Sequence, residues 1–205
     1  MSISQPSLFG ASPSGLPEGF IYRLDFLSPQ EEAELVDRLA ALPFAAFQFH
    51  GFEGNRRVVS FGWRYDFNEG GLKPAEPLPD WLRPLAARAA AFAGVAPDAF
   101  VHALLTEYAP GAGIGWHRDR PQFEDVVGIS LLSPCRFRFR LREGGGWRRA
   151  ACTVQPRSAY LLRGPSRRIW EHSIPPLQTL RYSITFRSFR PDIRLPAASA
   201  AGEPG

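Results

Sequence analysis

Beyond Ala99 the chain breaks into short runs of alternating or apolar residues, punctuated by glycine and proline. Six such runs stand out: Phe100–Tyr108, Val126–Leu132, Arg136–Arg142, Trp147–Val154, Ser158–Leu162 and Leu180–Phe189. A period of two sends successive side chains to opposite faces of a strand, so each run reads as a strand with one face to bury. Gly144–Gly146 reads as the turn of a hairpin. Upstream the period changes. Ser28, Pro29 and Glu31 form a capping box with proline in the first helical position. Leu35, Val36, Leu39 and Leu42 follow at helical spacing, which predicts a helix over Pro29–Leu42. A second helix is expected after Asp80, with Pro84 in its first turn, running through Leu85, Ala89 and Phe92 and stopping at Gly94. Lys73–Pro79 reads as a loop. Helices first and closely spaced strands later indicate an α+β chain: a β-sandwich with N-terminal helices packed on one face.

The 205 residues suit one domain, expected over residues 20–190, with a loose leader over 1–19 and a loose tail over 191–205. No apolar run approaches the ~18 residues of a membrane helix, and the N-terminus lacks the pattern of a signal peptide. The two cysteines, Cys135 and Cys152, are too few for a disulfide scaffold, and no CxxC pair suggests a zinc site. Both are expected to be reduced thiols in the cytoplasm. Charge is uneven: residues 1–100 carry eight basic and twelve acidic groups, whereas 101–205 carry sixteen and eight. All basic residues but Lys73 are arginine. A basic C-terminal half fits an anionic partner such as nucleic acid, and equally a solvated arginine-rich face.

Candidate chemistry lies in four segments. In Trp116-His117-Arg118-Asp119, side chains two apart on an extended segment point the same way, so His117 and Asp119 can converge on one ion. His172 follows a Gly164-Pro165-Ser166 turn. Two histidines and one carboxylate bind one face of iron(II) and leave positions for a chelating keto acid and dioxygen. His50 and His102 lack such companions and read as structural or surface residues. In Arg181-Tyr-Ser-Ile-Thr-Phe-Arg187, Arg181, Ser183, Thr185 and Arg187 share one strand face, which either lies in water or offers guanidinium forks to a carboxylate. Tyr108-Ala-Pro-Gly111 marks a loop that brings backbone close to something, with the Tyr108 hydroxyl available to the same carboxylate.

Taken together, the ordered set Tyr-x-Pro-Gly, His-x-Asp, Gly-Pro-Ser-Arg…His and Arg-Tyr-x-x-x-Phe-Arg resembles the AlkB family of dioxygenases over roughly Arg56 to Ser188. The resemblance implies a double-stranded β-helix (jelly-roll) core. It implies His117, Asp119 and His172 as iron(II) ligands, with 2-oxoglutarate and O2 as cosubstrates. Arg181 and Tyr108 would hold the distal carboxylate of 2-oxoglutarate, and Arg187 would support the end near the metal. The chain departs from the best-known bacterial repair branch at Thr106 and Ser183, cosubstrate positions that are asparagine there, and at Pro121, where that branch has an acidic residue contacting the damaged base. The implied activity is oxidative demethylation of N-alkylated bases in DNA or RNA, by a monomer that needs no protein partner and no membrane. Two alternatives stay open: the same chemistry on a protein side chain or small molecule, and a non-catalytic nucleic-acid-binding module.

The stretch from Asn55 to Phe67 alternates Phe61, Trp63, Tyr65 and Phe67 on one expected strand face. In the family the matching region, about residues 50–70 here, is a lid that recognises nucleotides. That assigns Phe61, Trp63 and Tyr65 to base stacking and Arg56 and Arg57 to phosphates; a core-facing aromatic strand is the competing reading. Arg136, Arg138, Arg140 and Arg142 alternate with Phe137, Phe139 and Leu141, so the arginines should face outward.

Overall fold

The structure, a computed structural model, describes residues 15–49, 52–65 and 72–193. The alternating runs become two antiparallel sheets. The major sheet contains β1 (Phe20–Arg23), β2 (Ala45–Phe49), β3 (Phe52–Phe61), β6 (Phe100–Tyr108), β8 (Phe123–Leu131), β11 (Ser158–Leu162) and β13 (Arg181–Phe189), in the order β1-β11-β8-β13-β6-β3-β2. The minor sheet contains β7 (Ile114–His117), β9 (Cys135–Glu143), β10 (Gly146–Val154) and β12 (Glu171–Ile174), in the order β10-β9-β12-β7. A separate ribbon pairs β4 (Trp63–Tyr65) with β5 (Leu72–Pro74). The helices are α1 (Pro29–Ala40), α2 (Arg83–Ala93) and the single turn α3 (Pro165–Arg168).

The two faces of the major sheet bury different partners. On its outer face Ala103, Leu105, Val127, Ile129, Leu131, Leu161, Ile184 and Phe186 share one buried cluster with Leu35 and Leu39 of α1 and with Leu85, Ala86, Ala89 and Ala90 of α2. Removing each large side chain here from water is worth about 1.5–3 kcal/mol, which is what ties the helices to the sheet. On its inner face Phe20, Val126, Tyr160 and Leu162 meet Phe137, Phe139 and Val154 of the minor sheet. Phe20 packs edge-on against Phe139 at 5.0 Å, and Phe137 lies 4.8 Å from Tyr160. The sandwich is thus closed by aromatic packing along one half, and the other half holds the polar groups of the site.

The capping box of α1 forms as expected: Ser28 Oγ accepts from the Glu31 amide at 3.2 Å, and Glu31 Oε2 accepts from the Ser28 amide at 2.7 Å. The helix stops at Ala40 rather than Leu42, because Pro43 disfavours helical geometry in the residue before it. Gly94 ends α2 in the left-handed conformation, φ 65°. Gly144 and Gly145 take φ 54° and 81°, the two positive values a tight hairpin turn requires between Glu143 and Gly146. The ribbon strand β5 corrects the reading of Lys73–Pro79 as pure loop. Strands β1, β2 and β3 carry weak local signals, since their pairings are long-range: Phe20 with Leu162, and Arg57 with Glu107. Of the expected 50–70 lid, residues 52–61 are an integral strand of the major sheet, while 50–51 and 66–71, including His50 and Phe67, lie outside the described residues.

Glu32 of α1 fastens the helix to two strained corners. Its carboxylate accepts from the Leu132 amide at 2.8 Å and from Arg157 at 3.2 Å. Leu132 and Arg157 both adopt positive φ, 69° and 60°, which costs a non-glycine residue about 1–2 kcal/mol. Glu32→Ala is therefore expected to lower stability by about 1–2 kcal/mol. Urea unfolding should show this as a lower midpoint at unchanged slope.

Candidate active site

The three candidate metal donors gather at one end of the minor sheet. His117 ends β7 and His172 lies in β12, and the two face each other directly across the strand pair, with ring centroids 4.3 Å apart. His117 Nδ1 is 2.9 Å from the Gly115 carbonyl. A protonated Nδ1 donates there, which leaves Nε2 as the lone-pair donor. His172 stacks nearly parallel to Phe137 at 5.2 Å, which fixes its ring plane. Its Nδ1 is buried with no hydrogen-bond partner, and its Nε2 stands 3.7 Å from Asp119 Oδ2. Asp119 Oδ1 accepts from Arg187 Nε at 3.0 Å and Nη2 at 2.9 Å. One carboxylate oxygen is thus occupied by Arg187, and the other faces the histidine. No three His, Cys, Asp or Glu side chains among the described residues converge tightly enough to define an ion position by themselves. A metal is indicated instead by donor chemistry: two lone-pair imidazole nitrogens and an ionised carboxylate, with His172 buried and His117 partly exposed.

Electrostatics hold the three in their metal-binding protonation states. Burial pushes the Asp119 carboxyl up, but Arg187, His172, His117 and Arg167 override it and hold the group well below the usual carboxylate range. Burial lowers His117 despite Asp119. Burial, reinforced by His117, takes His172 down to about 3. Arg167 also shapes the loop after Asp119: its Nη2 donates to the Arg120 carbonyl and, at 2.7 Å, to that of Phe123.

The second half of the site is the inner face of β13. Arg181, Ser183, Thr185 and Arg187 are all buried there, so the polar face lines the sandwich and does not lie in water. Arg181 is 0% exposed. Its Nε donates to Ser130 Oγ at 3.0 Å, its guanidinium lies 5.0 Å from the Tyr108 ring centre, and both terminal nitrogens, Nη1 and Nη2, are buried without a geometric hydrogen-bond partner among the described residues. Arginine stays ionised in proteins, and a buried unpaired charge is costly. A bidentate fork aimed into an interior is the group that receives a carboxylate. The expected 2-oxoglutarate residues therefore meet on one surface: Arg181 lies opposite Tyr108, and Ser183 opposite Thr106, in the β13–β6 ladder. Arg187 grips Asp119, stands 3.5 Å from His102 Nδ1 and lies over the Phe123 ring. His102 is accordingly buried and structural.

Two residues that the motifs do not mark complete the pocket. Ser130, opposite Ser183 on β8, accepts a hydrogen bond from Arg181 Nε. Tyr160 of β11 lays its ring over Gly128, where an added Cβ would stand 2.1 Å from Cζ. Burial pushes the Tyr160 hydroxyl well above its usual range. Neither has a local signal, because both arrive through pairing between strands distant in sequence.

The substrate candidates divide. Gly62, at φ 80°, breaks the expected continuous strand; a Cβ there would meet the Val101 carbonyl at 2.0 Å. Phe61, before the break, packs into the outer, helix-covered cluster, which corrects its assignment to base stacking. Trp63, after the break, packs edge-on against Phe189 at 6.0 Å, which in turn stacks on Phe123. The side chain of Tyr65 lies outside the described residues. Strand alternation separates the two arginines. Arg57 pairs with Glu107 at 3.0 Å and donates to the Phe44 carbonyl at 2.7 Å, so it serves the outer face. Arg56 is on the inner side, within electrostatic reach of Tyr108 and Arg187.

Two outcomes follow from this geometry. The folded-state pKa of His117 and His172 lies below the ordinary 6.5, so the stability they contribute is complete above that pH. It is lost as pH falls from 6.5 toward 3, because the unfolded chain takes up the protons; urea midpoints of chelator-treated protein across this range should decline accordingly. Gly128→Ala should drive the Tyr160 ring from its place, at a cost of about 1–3 kcal/mol, and weaken 2-oxoglutarate binding in a titration.

Comparison with known proteins agrees with this construction. The family model described as the 2OG-Fe(II) oxygenase superfamily matches residues 19–187. An Arabidopsis thaliana protein named alkylated DNA repair protein ALKBH8 homolog is 27% identical over 74% of this chain and 49% of its own length. The alpha-ketoglutarate-dependent dioxygenase AlkB of Salmonella typhimurium is 33% identical over 50% of each. The chain thus spans about half the length of these relatives or less. The solved structure of OsALKBH1 superposes with a TM-score of 0.66 at 15% identity, covering 83% of this chain and 96% of that one, which establishes the double-stranded β-helix fold. With fold and family model in agreement, the chain belongs to the 2OG-Fe(II) oxygenase superfamily.

Proposed function

We propose that residues 20–190 form a dioxygenase domain in which His117, Asp119 and His172 hold iron(II) and Arg181 with Tyr108 holds the distal carboxylate of 2-oxoglutarate. The substrate is an N-alkylated base in DNA or RNA, which the enzyme demethylates oxidatively. The observation that carries this reading is Arg181: a fully buried guanidinium with Nη1 and Nη2 unpartnered, beside a two-histidine, one-carboxylate set. When bound, iron(II) with 2-oxoglutarate and dioxygen supplies the oxidising power to hydroxylate a C–H bond; on an N-methyl group the product breaks down to formaldehyde and the free amine.

The chain's own residues supply position and protonation state. Gly115 orients His117 through Nδ1. Arg187 holds one oxygen of Asp119 and leaves the other toward His172. Burial keeps both imidazoles neutral and therefore able to donate. Thr106, Ser183 and Ser130 give the cosubstrate small hydroxyl neighbours in place of bulky ones. The named activities of the Arabidopsis and Salmonella relatives support the nucleic-acid reading. The free thiols of Cys135 and Cys152 suit a reducing, cytoplasmic setting, and we take the working form to be a monomer. A second reading keeps the chemistry and moves it to a protein side chain or small molecule. It is favoured by Pro121, and by Phe61 and Arg57 serving the outer face.

Purified protein with iron(II), ascorbate and 2-oxoglutarate is expected to release succinate, faster with a methylated single-stranded oligonucleotide, and not at all as His117→Ala. Arg181→Gln should raise KM for 2-oxoglutarate at least about tenfold, since a charge-assisted fork is lost. Succinate release that no methylated DNA or RNA stimulates would transfer the assignment to the second reading. Bound iron without succinate would leave a binding module.

A further inference from the structure

The reverse side of the metal-bearing strands carries a surface that the catalytic pocket does not use. On β9 the even-numbered residues from Arg136 to Arg142 point away from the inter-sheet core, opposite Thr153, Ala151, Arg149 and Trp147 of β10. On β12, Glu171 and Ser173 flank the inward-facing His172 and take the same outer side. Trp116, next to His117 on β7, completes the face. The Arg138 and Arg140 guanidinium carbons lie 4.9 and 4.6 Å from the Trp116 ring centre. Those of Arg140 and Arg142 lie 4.1 and 5.4 Å from the Trp147 ring centre. Planar cations and indoles therefore interleave across the sheet. Arg138 is steadied by Ser173 Oγ at 3.0 Å and Arg140 by Glu171 at 2.5 Å.

The charge on this face is not balanced. Glu171 is its one carboxylate, and it is committed to Arg140. Arg136, Arg142 and Arg149 are exposed, and none pairs with a carboxylate among the described residues. Glu143 alternates to the opposite side of β9. Exposed arginines without counter-ions fit phosphates, which they bind bidentately. Flat indole and guanidinium surfaces fit unpaired bases, which stack without regard to sequence. An acidic peptide would satisfy the charges but leave the planar groups without stacking partners, and a duplex hides its base faces. β7 is the edge strand of the minor sheet, and exposed Arg118 follows His117 there.

We infer that the outer face of the minor sheet, centred on the Trp116–Arg140–Trp147 stack, binds the single-stranded flank of the nucleic-acid substrate. This rests on the nucleic-acid reading above, and the test separates the two. Fluorescence anisotropy of the full chain with a labelled single-stranded oligonucleotide of about fifteen nucleotides is measured from about 50 to about 200 mM salt. The triple variant Arg136→Gln/Arg142→Gln/Arg149→Gln should bind at least about tenfold more weakly at the low-salt end. Its log–log salt slope should fall by about 2, near 0.7 for each lost phosphate contact on a single strand. Trp147→Leu should weaken binding about fivefold or more while keeping the slope, since stacking is not a counter-ion effect. Succinate release without oligonucleotide should match the wild type in both variants. Wild-type binding with an unchanged triple variant would overturn the surface and leave the nucleic-acid reading standing. No oligonucleotide binding by the wild type would remove both. Displacement of the oligonucleotide by polyglutamate of equal charge, at equal potency, would assign the face to an acidic protein and overturn the inference.

Discussion

The guanidinium of Arg181 is sealed between two sheets, with Nε donating to Ser130 and no carboxylate paired with it among the described residues. A charge in that position is tolerable only if an anion completes it, since an unpaired buried ion costs several kcal/mol. The surroundings follow from that requirement. Tyr108 lies under the guanidinium, small hydroxyl residues occupy the ladder positions beside it, and Gly128 leaves room for Tyr160 to reach in. A packed apolar interior would have excluded the cosubstrate. This one is apolar on the aromatic half of the sandwich and polar on the other.

Strand β13 shows how one segment serves both purposes. Its odd-numbered residues from Arg181 to Arg187 carry the site, while Tyr182, Ile184 and Phe186 anchor the helix-covered core. Its central place in the major sheet, between β8 and β6, makes the arginines rigid. Arg181 and Arg187 are six residues apart in an extended strand, roughly 20 Å along the chain direction. Arg187 holds Asp119 beside the histidines, and Arg181 lies at the other end of the strand, against Tyr108. The register that sets His117 against His172 does the same for the metal end: two imidazoles on neighbouring strands converge without a loop having to be ordered.

Much of this was readable along the chain. The strand runs, the Gly144–Gly145 turn, the Ser28–Glu31 cap and the stop at Gly94 are local signals, and each appears within three residues of its expected place. The His-x-Asp, the later histidine and the arginine strand are brought to one region of the sandwich. The reading failed where geometry depends on a neighbour. Phe61 and Trp63 seemed to share a face, but Gly62, at φ 80°, turns the chain between them at a point where the Val101 carbonyl leaves no room for a side chain. Arg56 and Arg57 seemed equivalent, but alternation gives one to the pocket and the other to Glu107.

The sequence by itself determined the element types, the donor set and the two-faced character of β13, because these depend on residue chemistry and on periods of two and 3.6 within short windows. Only the tertiary structure decided that the polar face of β13 points inward, that Ser130 and Tyr160 belong to the pocket, that Arg187 grips Asp119, and that Trp116 and Trp147 interleave with the β9 arginines. Each of these depends on which strand lies beside which. Those pairings join residues tens of positions apart, and no local pattern encodes them.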